Sequence, residues 1–270
     1  MKPLLVILPV LLAASGSTPV GSVPMNDPAY EPVKEKLVRQ GVPPAFVDRT
    51  FASDRIAVEP GVVTRFQKPY EKKPYAVYRK LFLTPERVQR GARFYHRHET
   101  LFRSVERQYG VDPYLLLSII GVESNFGEHH EDYSVFNALY TVVHEIPRKS
   151  DWAVQQLVEF LLYCYRDDQD PHALYGSYAG AFGYGQFIPS SFNHYAVDFN
   201  GNGKREPYNW DDTVASVANY LRQNGYRRGE NLFSRQSSAG KAVWAYNHSE
   251  NYVRAVLEFR QLLMDQINGK

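Results

Sequence analysis

Residues 109–127 read YGVDPYLLLSIIGVESNFG. Asp112 before Pro113 makes a strong helix start: the acid caps, and the missing proline N–H costs nothing at the first helical position. From there Leu116, Ile119, Ile120 and Glu123 fall at i, i+3, i+4 and i+7 and share one face. Leu115 and Val122 make the adjoining face apolar as well, so the helix reads as buried. Gly127 is the expected stop. Glu123 then stands in the last turn of a buried helix, on its apolar stripe. Burial disfavours the charged carboxylate, and so do the unpaired carbonyls of a helix C-terminus. Both raise its proton affinity, the direction needed by a general acid working near neutrality. The alternative is a structural glutamate paired with an arginine from elsewhere, and position alone leaves the two open.

With 270 residues the chain can bury a substantial core, as one large domain or two small ones. Its aromatic content is high, with 20 Tyr, 15 Phe and 3 Trp. Tyrosine on a surface suits flat, hydroxyl-rich ligands such as sugars, although most of these rings serve to fill a core. The net charge is +2, well mixed along the chain, and no basic block or basic helix face argues for nucleic acid. The N-terminus, MKPLLVILPVLLAASGS, has one lysine, an apolar run from Leu4 to Ala14 and then small residues. Residues 1–17 therefore read as a secretory signal, cut after Ser15 or Ser17. The run is short for a bilayer span, and a short N-terminal anchor is the alternative. Cys164 is the only cysteine, which excludes an intrachain disulfide, and no thiol or zinc spacing exists. No cysteine follows the signal to carry a lipid. These features predict an exported, disulfide-free protein without a stable membrane anchor, most naturally in a bacterial periplasm.

Residues 18–30 are rich in Pro, Gly and Ser and read as a flexible leader. Pro32 opens a short helix ending at Gly41, and Pro43–Pro44 open another through Phe51. Residues 52–75 lack periodicity, with Pro60, Pro69 and Pro74 as breakers. One helix is expected from Thr84 to Tyr109. After the central helix comes a loop, EHHEDYSVFN, and Ser150 is expected to cap a helix with a broad apolar face at Ala153, Val154, Leu157, Val158, Leu161 and Leu162. Residues 176–210 are Gly-rich and aromatic with little periodicity. Helices from Thr213 to Asn224 and from Asn251 to Ile267 complete the chain. The expectation is a mainly α (α+β) domain with a small β or irregular insertion at 176–210.

Two stretches besides the central helix carry candidate chemistry. In GSYAGAFGYGQFIPSS (176–191), four glycines among aromatics allow close approach of backbone or ligand. Ser177 and Gln186 there are neutral hydrogen-bonding groups suited to amides and hydroxyls, with a tight packing corner as the alternative. In DFNGNGKREPYNWDD (198–212), Asp198, Asn200 and Asn202 occupy positions 1, 3 and 5 of a calcium loop. Gly203 is at the sharp turn, and Lys204 would offer its carbonyl. Position 12 holds Asn209 instead of a bidentate Glu, and Asp212 would have to close the site. An Asx/Gly turn without metal is the alternative. His96, His98 and Glu99, like His129, His130 and Glu131, lack any metal-ligand spacing. Ser190–Ser191 lack a nucleophile elbow.

With GVESNFG, AGAFGYGQFIPSSF, DFNGNG and WAYNHSENY in that order, the chain resembles the lytic transglycosylases of the membrane-bound transglycosylase B family. The match covers roughly residues 27–265. The resemblance implies a goose-lysozyme-like fold over 31–270, with an N-terminal helical part at about 31–100 and a catalytic core at about 101–270. It implies cleavage of the β-1,4 MurNAc–GlcNAc bond of peptidoglycan glycan strands without water, leaving 1,6-anhydroMurNAc ends, with Glu123 as the single acid/base. It also implies substrate contacts by Tyr78 (in YRKLF), Ser177, Gln186, Tyr220, Tyr246, Asn247 and Tyr252. No cofactor is expected for the chemistry, and the implied calcium is structural, held by Asp198, Asn200, Asn202, Lys204 and Asp212. The missing lipid-acceptor cysteine departs from the anchored form, and the asparagines depart from a strong calcium site. A soluble monomer is expected. A lysozyme-like hydrolase and a catalytically inactive wall-binding module are the alternatives.

Overall fold

A computed structural model describes residues 27–67, 74–128 and 133–270. The signal, most of the leader, and His129, His130 and Glu131 lie outside the described residues. Seven helices lead to the catalytic candidate: α1 (Tyr30–Arg39), α2 (Pro44–Phe51), α3 (Pro60–Gln67), α4 (Tyr75–Phe82), α5 (Pro85–Arg97), α6 (Glu99–Tyr109) and α7 (Pro113–Ser124). Two of the three prolines of the aperiodic stretch start helices rather than break them, and Pro69 lies outside the described residues. Pro60 is the first residue of α3, and Pro74 immediately precedes α4, where its fixed φ suits a helix start. The single helix expected from Thr84 to Tyr109 is two, divided at His98 (φ −114°, ψ 20°). The break lets α5 pack on the last helix of the chain while α6 packs on the helix after the insertion.

Helix α7 is enclosed on every side, with Leu115, Leu116, Leu117, Ser118, Ile119, Ile120, Gly121 and Val122 all buried. Its start is fixed as expected. Asp112 accepts from the Leu115 N–H at 2.7 Å and is held by Arg260 at 3.1 and 3.0 Å. Its end departs from expectation. The helix stops at Ser124, not Gly127, and three consecutive residues take left-handed backbone: Asn125 (φ 49°), Phe126 (φ 61°) and Gly127 (φ 83°). The reason is the Phe126 ring, which lodges between α5 and α7. A Cβ at Gly121 or Gly91 would lie 2.6 or 2.7 Å from its Cζ. Side-chain packing thus drives Phe126 into a conformation that bulky residues avoid.

A two-stranded antiparallel sheet follows, β1 (Tyr133–Ser134) on β2 (Tyr175–Gly176), with Tyr133 opposite Gly176. Between the strands lie α8 (Val135–Glu145), a 3₁₀ turn (Pro147–Lys149) and α9 (Ser150–Arg166). Ser150 is the first residue of α9 and makes no cap bond; the preceding turn supplies the entry instead. Burial among the α9 apolar residues pushes the Cys164 thiol up. The chain ends with α10 (Pro189–Tyr195), α11 (Trp210–Gln223), α12 (Ser238–Tyr246) and α13 (Glu250–Ile267). The fold is mainly helical with a small β component, as expected. Its buried residues form one cluster from Ala29 to Leu263, and α13 lies against α4, α5, α7 and α12. Among the described residues no helix is long and apolar enough to cross a membrane.

Candidate active site

Glu123 projects half-buried from the last turn of α7 toward the start of α13. The Tyr252 hydroxyl, on the first turn of α13, donates to its Oε1 at 2.5 Å. Burial raises the carboxyl and the Tyr252 bond lowers it; burial wins and the group sits at about 7. No ion pair reaches Glu123 among the described residues, so the arginine-paired alternative finds no support. Arg87, buried on α5, instead donates to the Gly121 carbonyl at 3.4 Å, one of the carbonyls the helix end leaves without an internal partner.

Tyrosines enclose the carboxyl. Tyr252 and Tyr246 are both raised well above the usual phenol range, first by burial and next by the charge of Glu123. Tyr246, the last residue of α12, donates to the Gly185 carbonyl at 2.5 Å and thereby ties α12 to the Gly-rich loop. Tyr220 of α11 donates to the Ala245 carbonyl at 2.6 Å, stands 4.7 Å from the Tyr246 ring, and is pushed up to about 12 by burial. Tyr78 of α4 is buried and near enough for its charge to act on Tyr252. Asn247 ends α12 directly after Tyr246. Gln186 takes left-handed backbone (φ 51°) and turns its amide back to the Gly183 carbonyl at 2.9 Å. Ser177 stands at the other end of that loop, where its hydroxyl accepts from the Ala179 and Ala181 N–H groups at 3.3 and 3.2 Å. Glu123, Tyr78, Tyr246 and Tyr252 thus gather in one place, with Tyr220, Asn247 and Gln186 adjoining. Phe187 (5.5 Å from Tyr246) and Tyr195 (4.3 Å from Tyr220) back the same wall. Neither was singled out from sequence. Tyr195 ends a helix of seven residues, too short to show periodicity.

Residues 25–240 match the transglycosylase SLT domain family. The chain belongs to that family. One relative is the membrane-bound lytic murein transglycosylase B of Escherichia coli (strain K12), 39% identical over 155 residues, or 57% of this chain. That match spans 43% of the relative's own length. Among solved structures, the Escherichia coli lytic transglycosylase Slt35 in complex with calcium aligns with TM-score 0.81 at 26% identity, over 92% of this chain and 96% of that one. SltB1 from Pseudomonas aeruginosa gives 0.79 at 27%, over 90% and 99%. SltB3 from the same organism, in complex with NAG-anhNAM-pentapeptide, gives 0.77 at 26%, over 88% and 78%.

In this family member the 198–212 loop lies behind the site, joined to the Gly-rich loop by the Tyr184 N–H, which donates to the Pro207 carbonyl at 2.9 Å. Asp198 accepts from the N–H groups of Gly201, Asn202 and Gly203 at 2.7, 3.1 and 2.7 Å. Asn202 accepts from the Lys204 N–H at 2.9 Å. Buried Asp212 accepts from Phe199, Asn200 and Glu206 at 2.9, 3.4 and 2.9 Å. Asn209, counted from sequence as position 12, does other work: its side chain caps α11 by accepting from the Asp211 and Asp212 N–H groups at 2.9 and 3.4 Å. The helix therefore begins at Trp210, three residues before the expected Thr213. Among the described residues no three His, Cys, Asp or Glu side chains converge as metal ligands. The His98 ring lies against Phe94, with centroids 4.4 Å apart and planes tilted by 36°, and Glu99 pairs with Arg103 at 2.6 Å.

Proposed function

We propose that this protein is a peptidoglycan lytic transglycosylase that cleaves the β-1,4 bond between N-acetylmuramic acid and N-acetylglucosamine and leaves 1,6-anhydro ends. The observation that carries the reading is Glu123, a half-dry carboxyl at about 7 whose proton answers only to burial and one tyrosine. A carboxyl there holds its two protonation states in similar amounts near neutral pH, which suits a group that must first give a proton and then take one.

Protonated Glu123 donates to the glycosidic oxygen as the bond to the anomeric carbon breaks. The muramoyl N-acetyl carbonyl closes on that carbon, the substrate standing in for the second carboxylate that most glycosidases use. Glu123, now ionised, takes the proton from the same sugar's 6-hydroxyl, whose oxygen displaces the acetamido oxygen and closes the anhydro ring. The Tyr252 bond favours the ionised state between the two steps. Ser177, Gln186, Tyr246 and Asn247 orient acetamido and hydroxyl groups, while Tyr78, Tyr220 and Tyr252 form the walls. Mass analysis of digested glycan strands tests the reading. Anhydro ends support it, hydrated reducing ends indicate a lysozyme-like hydrolase, and binding without release indicates an inactive module.

The same proposal has the chain exported by its N-terminal segment to act in the periplasm as a monomer on glycan strands. It also gives the 198–212 loop a weak structural calcium. The donors are hard oxygens: Asp198, Asn200, Asn202, the Lys204 carbonyl and Asp212. Burial raises the Asp212 carboxyl, its backbone amides oppose the rise, and the Asp198 charge adds to it. A cation near both acids relieves that repulsion, and it takes no part in the chemistry.

A further inference from the structure

Helix α4 presents Tyr78 to the site, yet its eight residues are too few to hold a helix unaided and its start has no side-chain cap. What fastens it is Glu258 of α13, six residues beyond Tyr252. The Tyr75 hydroxyl donates to Glu258 Oε2 at 2.5 Å, and Arg79 Nε donates to Oε1 at 2.6 Å. Tyr75 and Arg79 are i and i+4 on α4, so a single carboxylate grips one full turn. One turn earlier on α13, Arg254 lies over the Tyr75 ring at 3.8 Å. Tyr78 falls between the two gripped residues on α4, buried and within electrostatic reach of Tyr252, whose hydroxyl holds Glu123. The clip is therefore fixed to the same helix, α13, that carries Tyr252.

We propose that Glu258 is a positioning residue for substrate binding: by clamping Tyr75 and Arg79 to α13 it holds Tyr78 as a wall of the glycan cleft. Glu258 touches no substrate. The inference rests on the transglycosylase reading only in taking a glycan to be the ligand, and binding of a chito-oligosaccharide tests it without reference to the bond cleaved. In Glu258→Ala the affinity for that oligosaccharide falls about tenfold, and in turnover the loss enters KM while kcat stays within about twofold. Glu258→Gln, which keeps an acceptor for the Tyr75 hydroxyl, recovers part of the affinity. Simple destabilisation would instead reduce the active fraction, lowering kcat at constant KM, and that outcome overturns the proposal. Unchanged affinity in Glu258→Ala, with the parent protein binding normally, overturns it too. If the parent binds no oligosaccharide, the glycan reading of the site fails first and this proposal with it.

Discussion

Tyr252 and Glu123 share a hydrogen bond of 2.5 Å between the first turn of α13 and the last turn of α7. The bond is stronger to a carboxylate than to a carboxylic acid, so it opposes the burial that lifts Glu123 to about 7. Removing the hydroxyl in Tyr252→Phe leaves burial unopposed. The alkaline limb of kcat/KM against pH, where Glu123 loses the proton it must donate, then moves upward by about one unit, since a hydrogen bond to a charged group is worth roughly that much. An unmoved limb in an active variant would mean that another group sets it.

The same carboxyl leaves a mark on stability. Its folded-state value lies above that of an ordinary glutamate, 4.5, so the stability linked to its proton is complete below that pH and is lost as pH rises through about 7. Above pH 7 the folded chain holds an ionised carboxylate in a dry place, at a cost of about 3 kcal/mol. Glu123→Gln therefore melts several degrees higher than the parent at pH 8 and at nearly the same temperature at pH 4. Turnover is abolished in that variant, while oligosaccharide binding persists. Equal melting differences at both pH values would show that the carboxyl does not titrate as described.

The central helix was legible because three local signals agreed: the Asp112–Pro113 start, the i, i+3, i+4, i+7 spacing and the encircling apolar residues. What failed was local reasoning about ends. Gly127 looked like the stop, but Phe126 reverses the chain earlier as its ring lodges against Gly91 and Gly121, a fact of tertiary packing. Asn209 stood out as a departure from the calcium template at position 12, but its role as the cap of α11 was not read, because a loop template counts positions and does not show that the amides of Asp211 and Asp212 use its oxygen. Helices α3, α4 and α12 were invisible to periodicity, being only eight or nine residues long. The tyrosines around Glu123 come from α4, α11, α12 and α13. Residue spacing alone did not bring them together, and only the family resemblance pointed to Tyr78, Tyr220, Tyr246 and Tyr252.

Gly121 and Gly91 are the seat of the Phe126 ring, and a methyl group at either has nowhere to go. A Cβ at Gly91 meets Leu263 Cδ2 at 2.4 Å and Phe126 Cζ at 2.7 Å; at Gly121 it meets Phe126 Cζ and Phe259 Cε1, both at 2.6 Å. Gly121→Ala therefore destabilises the protein by about 1 to 3 kcal/mol, the usual range for overpacking. Urea unfolding measures it. Because Phe126 follows Glu123 by three residues, activity falls further than the folded fraction does. A variant as stable as the parent would mean that the ring has another place to sit.

The calcium proposal makes a numerical prediction, because its donor set is weak. Asp198 and Asp212 are the only carboxylates among the five proposed ligands, and both already receive backbone amides. Sites of this kind hold calcium at about 10⁻⁴ to 10⁻³ M. At about 10 mM free calcium, binding to the folded state alone then adds about 1.4 to 2.7 kcal/mol. The melting midpoint rises by about 3 to 10 degrees relative to a chelator control. Asp198→Asn removes one of the two charges and abolishes most of that rise, while its remaining oxygen still accepts the loop amides and preserves the fold. Equal midpoints with calcium and with chelator would show that the loop is an Asx/Gly turn closed by its own amides, the alternative that the asparagines at positions 3 and 5 left open.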